Sequence, residues 1–487
     1  MRTRFNRHLG EFFQAAHLSP GVTQLHALSL AAAAGGHSKA KHSKHEKRFP
    51  LEFSPHQYLI FLLHIAAEIE HALMVEYLYA AYALGGPQVP EQHRDEVRRW
   101  QEIIAGIAKE EMGHLMTVQN LLRSLGGPLN LDREDYPWDS GMVPFPFRLE
   151  PLTLPSLARF VVAESPPHWA GPEAEEIREM AKQGITADAK LHRVGELYDL
   201  LGEIIADEDC IPDSFFRAST LPYQASWDEW GRGYKGGARG NTQGGAPAGT
   251  PDVLLLQISS RTEALAAIKA ISTQGEASPS DKIDAPSHFA RFLRIYRQFP
   301  KDQKWASRQA PINPIVPNGF TVETPDVTPI EDPEAQLWGS LFNIRYQLLL
   351  TSLLHTFDYP SNLDPHSQAT PRGLLIHTTF GEMYNLRAIS LMLVQTPLKT
   401  GDNEKVAGPP FQMPYTLELP VDAVDRWRVH LDLFEGTKRV VGKLLPKTAP
   451  ARHTYLQALL EGDARNAAAI QTMLNCEAHS TLLHAQR

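Results

Sequence analysis

Residues 56–84, HQYLIFLLHIAAEIEHALMVEYLYAAYAL, constrain the fold more than any other part of the chain. They are apolar on almost every side of a helix, so that helix has to be enclosed by others. Ser54 and Pro55 supply a helix start and Gly85-Gly86-Pro87 a stop. A second helix is expected over 91–125, ended by Gly126-Gly127-Pro128. Two long helices with a short connection pack as an antiparallel hairpin.

Each helix carries an acid where its apolar stripe should run. Glu70 has Leu63, Ala66, Ala67, Leu73, Met74 and Tyr77 at helical spacing. Glu111 has Ile104, Ile107, Ala108, Leu115 and Val118, with His114 one turn later. An unpaired charge in such a stripe is very costly. A divalent cation held between the helices by Glu70, Glu111 and His114 resolves the conflict, because it neutralises the acids and accepts the imidazole. Helix bundles build dimetal carboxylate sites from single Glu residues and Glu-x-x-His pairs. Glu110 is either a partner of His114 or half-exposed. Glu68 and His71 form a second, lower-ranked Glu-x-x-His.

Beyond the hairpin, helices are expected at about 155–164, 186–206, 261–273, 288–299, 334–357, 374–396, 422–445 and 451–474. Strand-period alternation is scarce. The fold class is therefore all-α: a four-helix bundle with long insertions, followed by additional C-terminal helices. Residues 1–50 read as a mobile basic tail, 51–310 as the metal-binding bundle with its insertions and 311–487 as a helical C-terminal region. The stretch 231–250, with eight glycines, reads as a loop that could act as a lid.

The chain has 487 residues, more than one hydrophobic core usually serves, so two or three subregions are expected. A net charge of −9 argues against a nucleic-acid partner. The longest apolar runs are broken by Glu or His, so no membrane span is expected. Two cysteines give neither a disulfide framework nor metal-ligand spacing, and the expected location is the cytoplasm. There is no P-loop, dinucleotide fingerprint, Gly-x-Ser-x-Gly elbow or haem-attachment motif.

AAEIEHALMVEYLYAAYAL and IAKEEMGHLMTVQNLLRSLGGPLNL resemble the ferritin-like superfamily. More narrowly, the chain resembles the ferritin-like domain of the iminophenyl-pyruvate dimer synthase (chromopyrrolate synthase) type. LARFVVAESP, VGELYDLL, IKAISTQGEA, SHFARFLRI, GEMYNLRAISLMLVQTP and AGPPFQMP follow that type in order, over roughly 55–415. Ala277 stands where the type has Gly. The resemblance implies that Glu276 and His288 join Glu70, Glu111 and His114 as ligands, with Glu164 a further ligand or a group beside them. Read from the residues alone, Glu276 is equally a water-exposed helix end and His288 a capping or core histidine. A rival places the extra ligand at Glu382 in the later helices.

The resulting expectation is a non-haem, metal-dependent oxidoreductase with two iron ions, manganese being the second choice. Its oxidant would be dioxygen or peroxide. Its substrate would be a small molecule, which the resemblance implies is an amino-acid-derived imine of secondary metabolism. A homo-oligomer is compatible with this reading. The alternatives are a peroxide-disproportionating or iron-binding protein without an organic substrate, and a metal-free helical scaffold.

Overall fold

The computed structural model describes residues 50, 52–139, 143–185, 191–230, 253–277, 286–301, 304–317, 326–361, 368–402 and 404–485. The expected tail, apart from Pro50, and the Gly-rich stretch 231–250 lie outside the described residues. Among the described residues the regular elements are helices apart from one two-residue parallel pairing, β1 (Pro314–Ile315) with β2 (Thr328–Pro329), and a few isolated bridges.

Helix α1 (Pro55–Ala83) starts with a capping box in which Ser54 and Gln57 satisfy each other's backbone N–H groups. Helix α2 (Arg94–Ser124) opens with Asp95 and Glu96, which suit the positive end of the helix dipole. The two pack along most of their lengths as the expected hairpin. By length and composition α1 could cross a membrane, but most of it is buried among other helices. Gly113 lets Val253 and Leu254 lie against α2, since a Cβ there would come within 2.4 Å of the Val253 side chain.

Opposite the hairpin stand two pairs of short helices. In one, α3 (Leu154–Ala163) packs on α8 (His288–Gln298); in the other, α5 (Gly195–Ala206) packs on α7 (Arg261–Glu276). The Ala163 carbonyl ending α3 accepts from Val194 N–H at the threshold of α5, at 2.9 Å. Residues 164–193 separate these two helix ends in sequence. They contain α4 (Pro172–Ala181), which the sequence reading did not anticipate. It buries only Ala174, Ile177 and Ala181, too narrow a stripe to stand out among its charges. The helix expected over 186–206 begins only at Gly195. A one-turn helix, α6 (Trp227–Trp230), precedes the undescribed stretch.

Four further helices, α9 (Pro333–Thr356), α10 (Pro371–Leu393), α11 (Ala423–Leu444) and α12 (His453–Ala485), close a second ring in which α9 contacts α10 and α11, and α12 contacts both. Buried Arg345 bonds Glu382 at 2.6 Å and Asp463 at 2.8 Å inside it. Across the junction with the first bundle, the Tyr346 hydroxyl donates to Nε2 of His71, whose Nδ1 faces the Leu131 carbonyl at 2.9 Å. The expected division near 310 stands as a proposal; the packed core runs across it, from Leu59 to Leu459.

His355 and His430 face each other in the second bundle, Nδ1 to Nε2, at 3.1 Å. Burial pushes His430 down to about 3. Burial, then the neighbouring His430, pushes His355 well below its ordinary value. Folded-state values depressed in this way contribute stability that is present above the unfolded value near 6.5 and is lost as pH falls below it. Each imidazole should remove up to ~1.4 kcal/mol per pH unit in that range. Urea unfolding at stepped pH checks this: His430→Asn should flatten the acid side of the stability profile. An unchanged slope would show that these imidazoles do not drive the acid loss.

Candidate metal centre

The inner ends of the short helices meet the middle of the hairpin, and there the acids and imidazoles converge. Glu70 comes from α1, Glu111 and His114 from α2, Glu164 from the residue capping α3, and His288 from the first position of α8. All five are buried. They form two groups, Glu70–Glu111–His114 and Glu111–Glu164–His288, each with donor atoms within 4.8 Å of one another. Glu111 belongs to both. Its Oε2 lies 2.8 Å from Nδ1 of His114, and its Oε1 lies 2.8 Å from Nδ1 of His288. Glu70 Oε2 approaches His114 Nδ1 at 3.3 Å, and Glu164 Oε2 approaches His288 Nδ1 at 3.7 Å. The two rings stack with centroids 5.4 Å apart.

The outer faces of these groups are anchored. His114 donates from Nε2 to Gln274 Oε1 at 2.8 Å, and His288 from Nε2 to Glu110 Oε2 at 3.0 Å. With Nε2 engaged on the outside, each Nδ1 faces inward, the orientation that a ligating histidine takes once Nδ1 is free of its proton. Tyr198 donates to Glu70 Oε1, and Tyr77 donates to Glu164 Oε1 at 2.7 Å. Each terminal carboxylate thus has one oxygen tied to a tyrosine and the other turned to the centre.

His114 Nδ1 and Glu111 Oε2 are hydrogen-bonded to each other, but three other inner atoms are not satisfied. Glu70 Oε2, Glu111 Oε1 and His288 Nδ1 are buried without a hydrogen-bond partner, although the last two are only 2.8 Å apart. Close approach without hydrogen-bond geometry is what donor atoms aimed at a common cation show, and orphaned buried acceptors are otherwise rare. The charges tell the same story. Burial, then the Glu111 charge, pushes Glu70 up to about 8. Against burial, Glu111 and Glu70 raise His114 to about 10. Three carboxylates and two imidazoles in a dry site need compensating positive charge; protons are one source and divalent cations the other. The residues present fit a pair of metal ions.

Glu276 is brought to the same cavity but belongs to neither group. Its Oε2 accepts from Arg193 at 2.9 Å and its Oε1 from Gly195 N–H at 2.8 Å. A Cβ at position 195 would lie 2.1 Å from that carboxylate, so glycine is required for the approach. It is buried, not the water-exposed helix end that was the simpler expectation. Glu382 is held by Arg345 in the second bundle. Glu68 accepts from Asn130 at 3.1 Å, and the His192–Glu196 pair at 3.8 Å is on the surface.

Sequence reasoning missed the anchors. Glu110, expected as a partner of His114 or half-exposed, is buried and faces His288 and Arg291 from α8. Against burial, these two cations hold Glu110 down at about 2. Glu110→Gln should loosen His288 and weaken metal affinity by about 10–100-fold, measured by competition with a chelator. Affinity equal to that of the unsubstituted protein would remove Glu110 from this role.

Residues 63–297 match the ferritin-like family. The chain is similar to dichlorochromopyrrolate synthase of Lentzea aerocolonigenes, 26% identical over 73% of this chain and 36% of that one. It is also similar to 2-imino-3-(indol-3-yl)propanoate dimerase of Chromobacterium violaceum, 24% identical over 72% of this chain and 33% of that one. The chain thus spans about a third of the length of the curated relatives it matches. A solved ferritin-like protein from Caulobacter vibrioides aligns with 70% of this chain and 98% of its own, at 16% identity and a TM-score of 0.41. The part of the chain that carries the two Glu–Glu–His groups, residues 63–297, is a ferritin-like domain, in a chain that is similar along most of its length to proteins of the chromopyrrolate-synthase type.

Proposed function

We propose that the chain is a non-haem oxidoreductase holding two metal ions, iron in the first place and manganese in the second. The observation that carries this reading is the sharing of Glu111 by two Glu–Glu–His groups, in which Glu70 Oε2, Glu111 Oε1 and His288 Nδ1 are buried without a hydrogen-bond partner. Glu70, Glu111 and His114 would hold one ion, and Glu111, Glu164 and His288 the other. When bound, the pair supplies redox equivalents and open coordination positions for dioxygen or peroxide.

The protein's own residues set the terms of that chemistry. Gln274 and Glu110 keep the imidazole protons on the outside, so both Nδ1 atoms stay available. Tyr198 and Tyr77 fix the two terminal carboxylates and hold the nearest protons, on their hydroxyls. Leu73, Val194 and Ile271 line the cavity and limit water. The cavity leaves about 10 Å³ for the centre of a water molecule, room for about one. A diatomic or a peroxide is of that scale; an aromatic substrate is not.

The names of the curated relatives, a chromopyrrolate synthase and an indolyl-imine dimerase, support an amino-acid-derived imine as the organic substrate. The small cavity favours a second reading, consumption of peroxide without an organic substrate. One experiment separates them. Protein reconstituted with Fe(II) is supplied with the imine made in situ from tryptophan by an amino-acid oxidase with catalase present, and oxygen uptake beyond that of the oxidase is recorded. Extra, metal-dependent uptake with a new imine-derived product upholds the oxidoreductase. Peroxide loss in a catalase-free assay, with the imine unchanged, favours the second reading.

A further inference from the structure

Four acids line the metal cavity, and Glu276 is held differently from the other three. Glu70 and Glu164 are tied to tyrosine hydroxyls, and Glu111 lies between two imidazoles. Glu276 alone among them is tied to a guanidinium that reaches toward solvent. Arg193 meets Glu276 at 2.9 Å on its inner side, and Glu196 at 3.7 Å and Asp199 at 3.6 Å on its outer side. The outer acids are 54% and 62% exposed, Arg193 is 17% and Glu276 is 7%, so burial rises step by step from the outer acids to the acid that lines the cavity. Gly195, Gly275 and Ser272 line the cavity there. At its inner end lie the unpartnered, buried Oε2 of Glu70 and Oε1 of Glu111.

We propose that Glu276 and Arg193 are the shutter of the metal cavity: Glu276 is a transit ligand that receives an incoming divalent cation, and Arg193 is the counter-charge that the cation displaces. This rests on the dimetal reading above. Three carboxylates around one guanidinium leave an excess of acid, which attracts a dication. Arg193 keeps the cavity closed to water when no cation is present. Glu276 then hands the cation on to atoms that have no other partner, and returns to Arg193 and the Gly195 N–H. It is a positioning residue for loading and not a resident ligand.

The test follows cobalt(II) uptake by the metal-free full chain in a stopped-flow spectrophotometer, through the ligand-field bands, together with the cobalt bound per chain at saturation. Glu276→Gln should slow uptake by about tenfold and leave the final stoichiometry unchanged. Arg193→Ala should speed uptake, and Arg193→Lys, which retains the charge, should load close to the unsubstituted rate. Rates equal to the unsubstituted protein in both Glu276→Gln and Arg193→Ala overturn the shutter. Loss of one cobalt at saturation in Glu276→Gln overturns it too, and makes Glu276 a resident ligand. If the unsubstituted chain takes up no cobalt, the dimetal reading fails first and the shutter falls with it.

Discussion

Glu111→Gln is expected to empty both metal positions at once. Glu111 is the residue common to the two groups, with one oxygen on each side, 2.8 Å from His114 and 2.8 Å from His288. An amide has the same shape but only one acceptor atom and no charge, so it cannot serve both sides. His114→Ala, by contrast, removes one donor from one group. It should cost the ion on the Glu70 side first and leave Glu70 and Glu111 as poorly compensated buried acids. In the metal-free chain the Glu111 substitution also strands two imidazoles that the carboxylate neutralises. Breaking a buried charge pair of this kind costs about 3–5 kcal/mol, so thermal stability should fall together with metal content. Metal per chain by elemental analysis and the melting temperature are the two readings. Full metal content in either variant would contradict the shared-ligand arrangement.

Arg345→Met should destabilise the chain by a similar amount and leave the metal untouched. Arg345 is 1% exposed and is the only guanidinium bonded to Glu382 and Asp463 among the described residues. Burial pushes Glu382 up to about 7 even with Arg345 beside it, so without the arginine two buried acids face each other with nothing to balance them. The expected cost is again about 3–5 kcal/mol. Replacing all three by well-packed apolar residues should recover much of it, because the penalty lies in the stranded charges and not in the loss of an attractive pair. Denaturant unfolding of the single and triple variants measures this. Metal content decides the older rivalry: if Glu382 were a ligand, Glu382→Ala would lower metal per chain, whereas its place on Arg345 predicts no change.

The fold was largely legible in the sequence because its hairpin announces itself twice. An all-round apolar run can only be an enclosed helix, and the glycine–proline stops fix where each arm turns. Glu70, Glu111 and His114 could be found for the same reason, since an acid at i, i±3 and i±4 to aliphatic residues contradicts its own surroundings. Glu164, Glu276 and His288 carry no such contradiction. They stand at the ends of short helices, where periodicity says little, and they entered only through the motifs that resemble the chromopyrrolate-synthase type. Periodicity likewise describes one helix at a time. It could not show that Glu110 turns to His288, that Tyr198 reaches Glu70, or that Arg345, Glu382 and Asp463 meet from three helices.

The central claim is that Glu111 lies between two metal ions. Crystals of the full chain reconstituted anaerobically with Fe(II), measured on either side of the iron absorption edge, test it directly. The account predicts two anomalous peaks, one against Glu70 and His114 and the other against Glu164 and His288, with Glu111 touching both. A map with no peak at Glu111, or with iron ligated by Glu382 in the second bundle, would contradict it.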